Sequence, residues 1–427
     1  MKNFILSYEN DVKVLFFPEI LKAFDISNFV SQKDILEFID YISRGKKVNE
    51  IEAFDKIIDN HYYGNSICII PSNECQMKCK YCYSQSGQLN GASYINLDFA
   101  KKIINILFEN GKLYAHFGKK DINILFHGGG EPTMNWRLFQ SIVDYIYEKN
   151  TEYNYTLNLR IVTNGMFTTQ KALWIANRFK EVVFSIDGPP FINDNIRLLK
   201  NNKKITGIAI NNAKVVSKIT NVGIHSVVTG LSIGNAEKIV EYFSKEVDNL
   251  KFINFEKFKQ TKNGRNEVLG ISNKDYLDFL LASYKFNSNI VKSSILNINP
   301  IKSFCKANSG SMIYCFPNNN ITLCNEHDDM YIVGSYYNGN ININSSNYYN
   351  YKELLKKNCC KLKCEDCYVQ PFCKGGCLSY CEQCENYTEE WCELYKKLVK
   401  QFVLEKISSQ QRDILTYRGI KINSFQL

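Results

Sequence analysis

The sequence lacks any long apolar run. No stretch of its 427 residues approaches the length of a membrane-spanning helix. The amino-terminal segment MKNFILSYENDVKV contains an apolar run that is too short for a signal peptide, and it turns acidic at once. We therefore expect a cytoplasmic protein with no membrane partner.

The sequence also lacks a concentration of charge of one sign. The net charge is +9, from 52 Lys and Arg against 43 Asp and Glu, but the positive residues are scattered rather than gathered in one stripe. Since nucleic-acid binding leaves a basic patch or stripe, we expect no nucleic-acid partner. The 45% of hydrophobic and 22% of charged residues are typical of a globular protein, and the length suffices for two or three domains.

Cysteine, in contrast, is abundant. Sixteen cysteines in a cytoplasmic chain favour metal ligation or redox chemistry over disulfides. Three of them lie in CQMKCKYC (Cys75, Cys79, Cys82), and twelve lie between Cys305 and Cys392. Cys68 stands alone in the apolar run SICIIP, which predicts a buried strand residue rather than a ligand.

The triplet has no fourth cysteine beside it. A structural zinc site normally uses four protein ligands, whereas a catalytic metal keeps one position open for a substrate or cofactor. The spacing of Cys75, Cys79 and Cys82 therefore raises the possibility of a centre with one vacant position.

The middle of the chain alternates between strand and helix patterns. The helix patterns include NLDFAKKIINILFENG, with apolar residues at helical spacing and Gly111 expected as its stop. Alternation over this length predicts a parallel sheet of an α/β protein, with the functional site at the carboxyl ends of the strands. The strand patterns are SICIIP, INILFHGGGEP, LNLRIVTNG, EVVFSIDG, GIHSVVTG and KFINFEKF.

The segment CQMKCKYCY resembles the cluster-binding signature of the radical S-adenosylmethionine (radical SAM) enzymes. The resemblance implies a partial (β/α)6 barrel in which three cysteines bind a [4Fe-4S] cluster and the fourth iron binds SAM. It also implies that SAM is cleaved to a 5'-deoxyadenosyl radical, which abstracts a substrate hydrogen.

Further segments resemble the SAM-binding motifs of that family, in family order. HGGGEPT resembles the GGE motif, where glycines allow close backbone approach to the methionine amino group. TNG and SIDG, continuing to Asp194 and Arg197, resemble strand ends that flank the ribose and carboxylate. The SAM-binding residues implied by the resemblance are Tyr81, Gly129, Gly130, Glu131, Thr163, Asn164, Ser185, Asp187 and Arg197.

The second group of cysteines resembles a SPASM domain, a carboxy-terminal module with two auxiliary [4Fe-4S] clusters. Asn319 stands where that pattern has Gly, and Asn tolerates the left-handed backbone. The resemblance implies three clusters in total, with Cys305, Cys315, Cys324 and Cys377 at the first auxiliary cluster and Cys364, Cys367, Cys373 and Cys392 at the second. The alternative is a zinc ribbon formed by Cys364, Cys367, Cys381 and Cys384, and Cys359 and Cys360 have no assigned role.

We therefore expect three regions: a small α+β element at 1–62, the radical SAM barrel at 63–300 and the SPASM domain at 301–427. The residue pattern of the first region predicts a strand hairpin followed by a helix with Ser31 as its N-cap. Such an element either grips the leader sequence of a peptide substrate by strand addition or simply extends the barrel.

SPASM-bearing radical SAM enzymes mostly act on peptides, which implies a maturase that cross-links a ribosomally made precursor peptide through a thioether or carbon-carbon bond. It would need a reducing electron donor such as flavodoxin or ferredoxin. One alternative is a formylglycine-generating enzyme like the anaerobic sulfatase maturases, but these carry an Asp base where this chain has Asn325 after Cys324. Another is an iron-sulfur electron carrier, which would need no GGE motif. No catalytic base is predicted.

Overall fold

A computed structural model shows two compact units. The large unit comprises Asp55–Ser294 and Lys306–Glu353, and the small unit comprises Met1–Phe54, Ile295–Cys305 and Leu354–Leu427. The predicted boundaries at 62/63 and 300/301 stay a prediction of the domain organisation. The structure describes residues 3–7, 13–19, 22–27, 29, 31–44, 56–82, 84, 94–116, 118–258, 269–293, 295–296, 301, 304–325, 331–361, 364–377, 387–409, 413–417 and 420–426.

The large unit is built on an eleven-stranded sheet with the order β12-β11-β10-β9-β8-β7-β6-β13-β14-β15-β16. Strands β6 to β12 are parallel, β13 is parallel to β6, and β14 to β16 continue as an antiparallel meander. The strands are β6 Ser66–Ile69, β7 Asp121–Phe126, β8 Thr156–Thr163, β9 Glu181–Ser185, β10 Asn221–Val228, β11 Leu250–Lys257, β12 Val291–Lys292, β13 Ile313–Cys315, β14 Asn320–Thr322, β15 Ile332–Tyr337 and β16 Asn340–Ile343. A separate hairpin pairs β4 Ile57–Ile58 with β5 His61–Tyr62.

Helices connect the parallel strands, as the alternating pattern predicts. Asn135, Thr168 and Ser272 begin three of them, each accepting a backbone N–H with its side chain. The helices of the large unit are α2 Leu97–His116, α3 Trp136–Tyr153, α4 Thr169–Ala176, α5 Pro190–Ile196, α6 Thr206–Ser217, α7 Ala236–Glu246, α8 Asn273–Phe286, α9 Lys306–Ser309 and the first half of α10 Ser345–Lys361.

The expected stop at Gly111 is wrong, because α2 continues five residues further, to His116. Gly111 is buried, and a Cβ built on it would lie 2.5 Å from the ring of Tyr155. This glycine therefore serves close packing of the helix against Tyr155, and packing outweighs the weak helix propensity of glycine.

The small unit contains a five-stranded antiparallel sheet with the order β1-β2-β3-β18-β17. The predicted amino-terminal hairpin is present, and Ser31 caps α1 by accepting the backbone N–H of Asp34 at 3.2 Å. Its remaining helices include α11 Gln370–Cys373 and α12 Tyr387–Ser409, after the short 3-10 turn Cys364–Asp366. Its strands are β1 Phe4–Ser7, β2 Lys13–Phe17, β3 Lys22–Asp25, β17 Asp413–Tyr417 and β18 Ile420–Gln426, and α1 is Gln32–Arg44.

The core of the small unit joins the two ends of the chain. Phe38 of α1 packs on Phe17 and Phe24 of the sheet. On the same sheet, Phe16 stacks on Phe372 of the cysteine-rich segment, with ring centroids 6.4 Å apart. The amino-terminal element thus packs against the segment that contains the carboxy-terminal cysteines.

Across the described residues, no helix is long and apolar enough to span a membrane.

One buried amide ties the loop after β8 to the helix layer. Asn212 of α6 donates from its Nδ2 atom to the carbonyl oxygens of Gly165 and Phe167, at 2.8 and 2.7 Å. Replacing Asn212 with Ala should destabilise the fold by about 2–4 kcal/mol, because one buried and one half-buried carbonyl lose their donor.

The measurement is urea unfolding followed by circular dichroism. A matched control is Asn195→Ala, which removes an exposed amide bonded to the carbonyl of Phe191 and should change the unfolding free energy by less than about 0.5 kcal/mol. Equal effects of the two substitutions would show that the Asn212 bonds do not hold the loop.

Candidate active site

The cysteine triplet lies in the loop that follows β6. This loop runs beside residues 196–200 and is held there by three backbone hydrogen bonds. Lys78 donates to Leu198 at 2.8 Å, Lys80 donates to Ile196 at 3.0 Å, and Lys200 donates back to Gln76 at 3.1 Å. The cysteines are therefore presented by an ordered, strand-like loop.

The three cysteines line a single cavity of about 330 Å³. It lies at the carboxyl edge of the parallel strands, where the connecting loops meet, as the strand pattern predicts. Besides Cys75, Cys79 and Cys82, the cavity is lined by Met77, Tyr81, Ser84, His127, Gly128, Gly129, Gly130, Glu131, Val162, Thr163, Asn164, Ser185, Arg197, His225, Val227, Glu256, Lys257, Phe258 and Asn325.

The glycine segment lies directly against the cysteine loop. Gly130 donates to the carbonyl of Ser72 at 3.1 Å, and Glu131 donates to the carbonyl of Glu74 at 2.8 Å. A Cβ on Gly130 would lie 2.0 Å from the Glu74 carbonyl oxygen, so no larger residue fits there without moving the backbone. Glycine is therefore required by this close approach of two loops.

The carboxylate of Glu131 has a structural part in the site. It is 2% exposed and accepts hydrogen bonds from the Thr163 hydroxyl at 2.8 Å and the Asn164 N–H at 2.8 Å. Burial raises the pKa of Glu131, while its bonds to Asn164, Thr133 and Thr163 oppose that shift. The side chain thus ties the GGE segment to the end of β8, which leaves only the backbone of Glu131 to meet a ligand.

A second buried carboxylate, Asp187, organises the opposite wall. Both of its oxygens accept from the Tyr81 hydroxyl, at 3.0 and 2.7 Å, and Oδ2 also accepts from the Arg197 Nε atom at 3.0 Å. The Arg197 guanidinium lies 5.2 Å from the centre of the Tyr81 ring. The loop residue Tyr81 is thereby fixed to β9 and to the end of α5.

Most of the residues expected to bind SAM meet in this cavity. The structure brings together Tyr81, Gly129, Gly130, Glu131, Thr163, Asn164, Ser185 and Arg197 on its walls. Asp187 does not line the cavity and lies behind Tyr81 and Arg197. Asp194 is also outside the cavity. Its carboxylate accepts hydrogen bonds from the backbone N–H groups of Ile205 and Thr206 at the start of α6.

Several lining residues were not predicted from the sequence. His225 and Val227 of β10 and Glu256 of β11 belong to no family motif used above, yet they alternate along strands that end at the cavity. Their period of two within predicted strands is the signal that could have identified them. Asn325 also lines the cavity, directly after Cys324.

The cysteine triplet suits an iron-sulfur cluster better than a single ion. Burial raises the pKa of Cys75 and Cys79 to about 12, so their thiolates require a nearby cation. Cysteine thiolates are the usual protein ligands of a [4Fe-4S] cluster.

A second group of cysteines lies in the small unit. Cys364, Cys367, Cys373, Cys377 and Cys392 all line one small cavity beside Trp391 and Tyr395. Lys374, Gly375 and Gly376 have positive φ angles of 47°, 87° and 77°, which turn the chain sharply between two of these cysteines. The four cysteines predicted for the second auxiliary cluster thus share one pocket, which fits that assignment.

Cys315 is placed differently. It is fully buried in β13, where its register partners are Ile69 of β6 and Ile321 of β14. Side chains alternate between the two faces of a strand, so Tyr314 and its register partner Cys68 lie on the opposite face. Leu125 and the cavity-lining Val162 lie on that same opposite face. Cys315 therefore lies on the sheet face opposite the one that lines this cavity, and its assignment to the first auxiliary cluster stays a prediction.

The remaining cysteine predictions have mixed outcomes. Cys68 is fully buried in β6, as predicted, and Asn319 has the expected left-handed conformation, with a φ angle of 68°. Cys305 and Cys377 belong to the small unit and Cys324 to the large unit, so the first auxiliary cluster stays a prediction. Cys381 and Cys384 lie outside the described residues, as do the side chains of Cys359 and Cys360.

Comparisons with known proteins agree with this site. The profile of the "4Fe-4S single cluster domain" family matches residues 64–205, which include the cysteine triplet. The chain is 28% identical over 317 residues to the uncharacterized protein MJ0907 of Methanocaldococcus jannaschii, covering 70% of this chain and 93% of that protein. It is 26% identical over 216 residues to the radical SAM cyclopropyl synthase TigE of Paramaledivibacter caminithermalis, covering 46% of this chain and 40% of TigE.

Solved structures share the fold. The structure of anSMEcpe with bound AdoMet superposes with a TM-score of 0.65 at 19% identity, covering 81% of this chain and all (100%) of that one. Streptococcus suis SuiB bound to its precursor peptide SuiA superposes with a TM-score of 0.51 at 14% identity, covering 82% of this chain and 77% of SuiB. The chain has the radical SAM fold.

The predicted fold class is thereby confirmed, and these comparisons agree with the resemblance to radical SAM enzymes. The matched profile is that of a [4Fe-4S] domain, and anSMEcpe is a neighbour that was solved with bound AdoMet.

Replacing Cys75, Cys79 and Cys82 together with Ala should remove about four irons per chain and abolish SAM cleavage. The reason is that these three side chains line the cavity beside the GGE segment. Iron analysis and chromatography of 5'-deoxyadenosine after anaerobic reconstitution provide the measurements. Cys68→Ala is the control and should keep the iron; SAM cleavage by the triple variant would contradict the assignment.

Replacing Cys315 with Ala should leave the iron content unchanged, because its thiol is buried on the sheet face shared with Ile69 and Ile321. Iron per chain and the electron paramagnetic resonance spectrum of the reduced protein are measured, with Cys373→Ala as a control that should lose iron. A loss of about four irons from a folded Cys315 variant would restore the sequence-based assignment of Cys315 as a ligand.

Proposed function

We propose that this chain is a radical SAM maturase that cross-links a ribosomally made peptide through a thioether or carbon-carbon bond. The observation that carries the proposal is the single cavity in which the cysteine triplet, the GGE segment and the wall held by Asp187 converge. Together with a reduced cluster, SAM would supply a 5'-deoxyadenosyl radical at this place. The protein's own residues would bind the cofactor and exclude water.

Different walls of the cavity would bind different parts of the cluster and of SAM. The triplet would hold three irons, and the backbone of Gly129 to Glu131 would receive the methionine amino group. Arg197, which is 7% exposed, would form an ion pair with the methionine carboxylate. Asp187 keeps the Arg197 guanidinium oriented. A charge buried to this degree is stabilised only while its partner is in place.

A peptide substrate is supported by the neighbours and by the small unit. TigE is named a cyclopropyl synthase, and SuiB was solved with a precursor peptide. Among the described strands of the small-unit sheet, β1 and β17 are the two edges, because β3 pairs with β18. Strand addition by a leader sequence would therefore use β1 or β17.

The formylglycine-generating family places an Asp base at a position where this chain has an amide. Asn325 lines the cavity directly after Cys324, and an amide cannot act as a carboxylate base. The acidic residues that follow, Glu326, Asp328 and Asp329, lie outside the described residues together with His327. We therefore keep the cross-linking maturase as the proposed function.

The experiment combines the reconstituted enzyme, SAM, a flavodoxin reducing system and short peptides encoded beside its gene. We expect formation of 5'-deoxyadenosine and a peptide that has lost two hydrogen atoms, with a cross-link located by tandem mass spectrometry. A peptide aldehyde captured by a hydrazide would instead support formylglycine formation. Absence of 5'-deoxyadenosine under every condition would leave only an electron carrier.

Metal analysis of the same preparation tests the cluster count. Three [4Fe-4S] clusters correspond to about twelve irons per chain, about eight of them outside the triplet. Zinc together with only about four irons would support the zinc ribbon and contradict the auxiliary clusters.

A further inference from the structure

Two charged side chains lie on the cavity wall formed by β10 and β11, and the SAM motifs do not include them. His225 and Val227 alternate along β10, and the parallel register places Glu256 of β11 beside Val227. The Nε2 atom of His225 lies 3.4 Å from the Oε2 atom of Glu256. Both side chains line the cavity that contains the cysteine triplet.

The imidazole of His225 is buried at its Nε2 atom, beside the Glu256 carboxylate. Its Nε2 atom is inaccessible to solvent and has no well-aligned hydrogen bond, although the Glu256 carboxylate is close by. The Glu256 carboxylate is therefore the group that this atom faces. At the same cavity, 25% of the His225 side chain and 47% of the Glu256 side chain are exposed.

Charges around the ring determine its protonation. Burial by itself lowers the pKa of His225, but the Glu256 carboxylate more than offsets this effect, and the pKa is raised. Through longer-range interactions, Arg197 also lowers the pKa of His225 and Asp187 raises it. Lys257 is a further charged residue that faces the cavity. A histidine paired in this way can accept a proton and keep it as an imidazolium stabilised by Glu256.

We propose that His225, oriented by Glu256, accepts the proton that the peptide loses when its cross-link closes. This inference rests on the proposed function. The substrate carbon first loses a hydrogen atom to the 5'-deoxyadenosyl radical, which becomes 5'-deoxyadenosine. The carbon radical then bonds to a second substrate atom, a sulfur or a carbon, whose bond to hydrogen breaks. That proton goes to the imidazole ring of His225, and the remaining electron goes to an oxidised [4Fe-4S] centre.

His225→Gln and Glu256→Gln test the proposal, with His61→Gln as a control at an exposed histidine outside the cavity. Two quantities are measured separately: 5'-deoxyadenosine formed without peptide, and cross-linked peptide formed per 5'-deoxyadenosine. We expect His225→Gln to lower cross-linked peptide per 5'-deoxyadenosine by about 100-fold, the lower end for loss of a general base. The control should change neither.

The pH dependence separates a proton acceptor from a structural residue. In the parent enzyme, product per 5'-deoxyadenosine should rise with pH as His225 becomes neutral, and in His225→Gln it should be flat. Because Glu256 raises the pKa of His225, Glu256→Gln should shift this rise to lower pH. Nuclear magnetic resonance of the labelled histidines, of which there are five, should show the same lowered pKa without turnover.

Each other outcome has a definite meaning. Unchanged product per 5'-deoxyadenosine in His225→Gln overturns the inference, as does an equal loss of SAM cleavage without peptide, which would make His225 a cofactor-binding residue. If His225→Gln does not fold, an unshifted pH profile in Glu256→Gln overturns it. A parent enzyme that forms no 5'-deoxyadenosine overturns the proposed function, and this inference with it.

Discussion

The buried carboxylate of Asp187 is the interaction on which the site depends. It has no exposed surface, and it accepts hydrogen bonds from Tyr81, Arg197 and the backbone of Val227. These partners come from the cysteine loop, the end of α5 and β10, while Asp187 itself follows β9. A buried carboxylate is tolerated only when its oxygens are satisfied, and these bonds join four separate segments at the wall of the cavity.

Glu131 makes the corresponding connection on the other side of the cavity. Its carboxylate binds Thr163 and Asn164, and its backbone binds the cysteine loop through Glu74. Two acidic residues of the family motifs therefore hold the walls of the cavity and need not contact the cofactor with their side chains. The groups that line the cavity include backbone of the glycine segment, the thiols, the guanidinium of Arg197 and the pair formed by His225 and Glu256.

Much of the large unit could be predicted from local patterns. The strand runs and the helix α2 lie where the apolar periodicity predicts them, because a half-buried helix or a buried strand carries its burial pattern in its own sequence. The stop at Gly111 was wrong, since the Tyr155 ring that requires a glycine is distant in sequence. The pairing of β3 with β18 was equally beyond local reading, because the two strands lie at opposite ends of the chain.

The sequence by itself determined the chemistry that is local: three thiols in eight residues, glycines where backbones meet, and an asparagine with a left-handed backbone at position 319. Only the tertiary structure decided which side chains face one another. Cys315 looks like a ligand by spacing, yet its strand register turns it away from the cavity, and His225 has no motif, yet register brings it beside Glu256. Register is set by contacts between strands that are remote in the chain, and a one-residue shift exchanges the two faces of a strand.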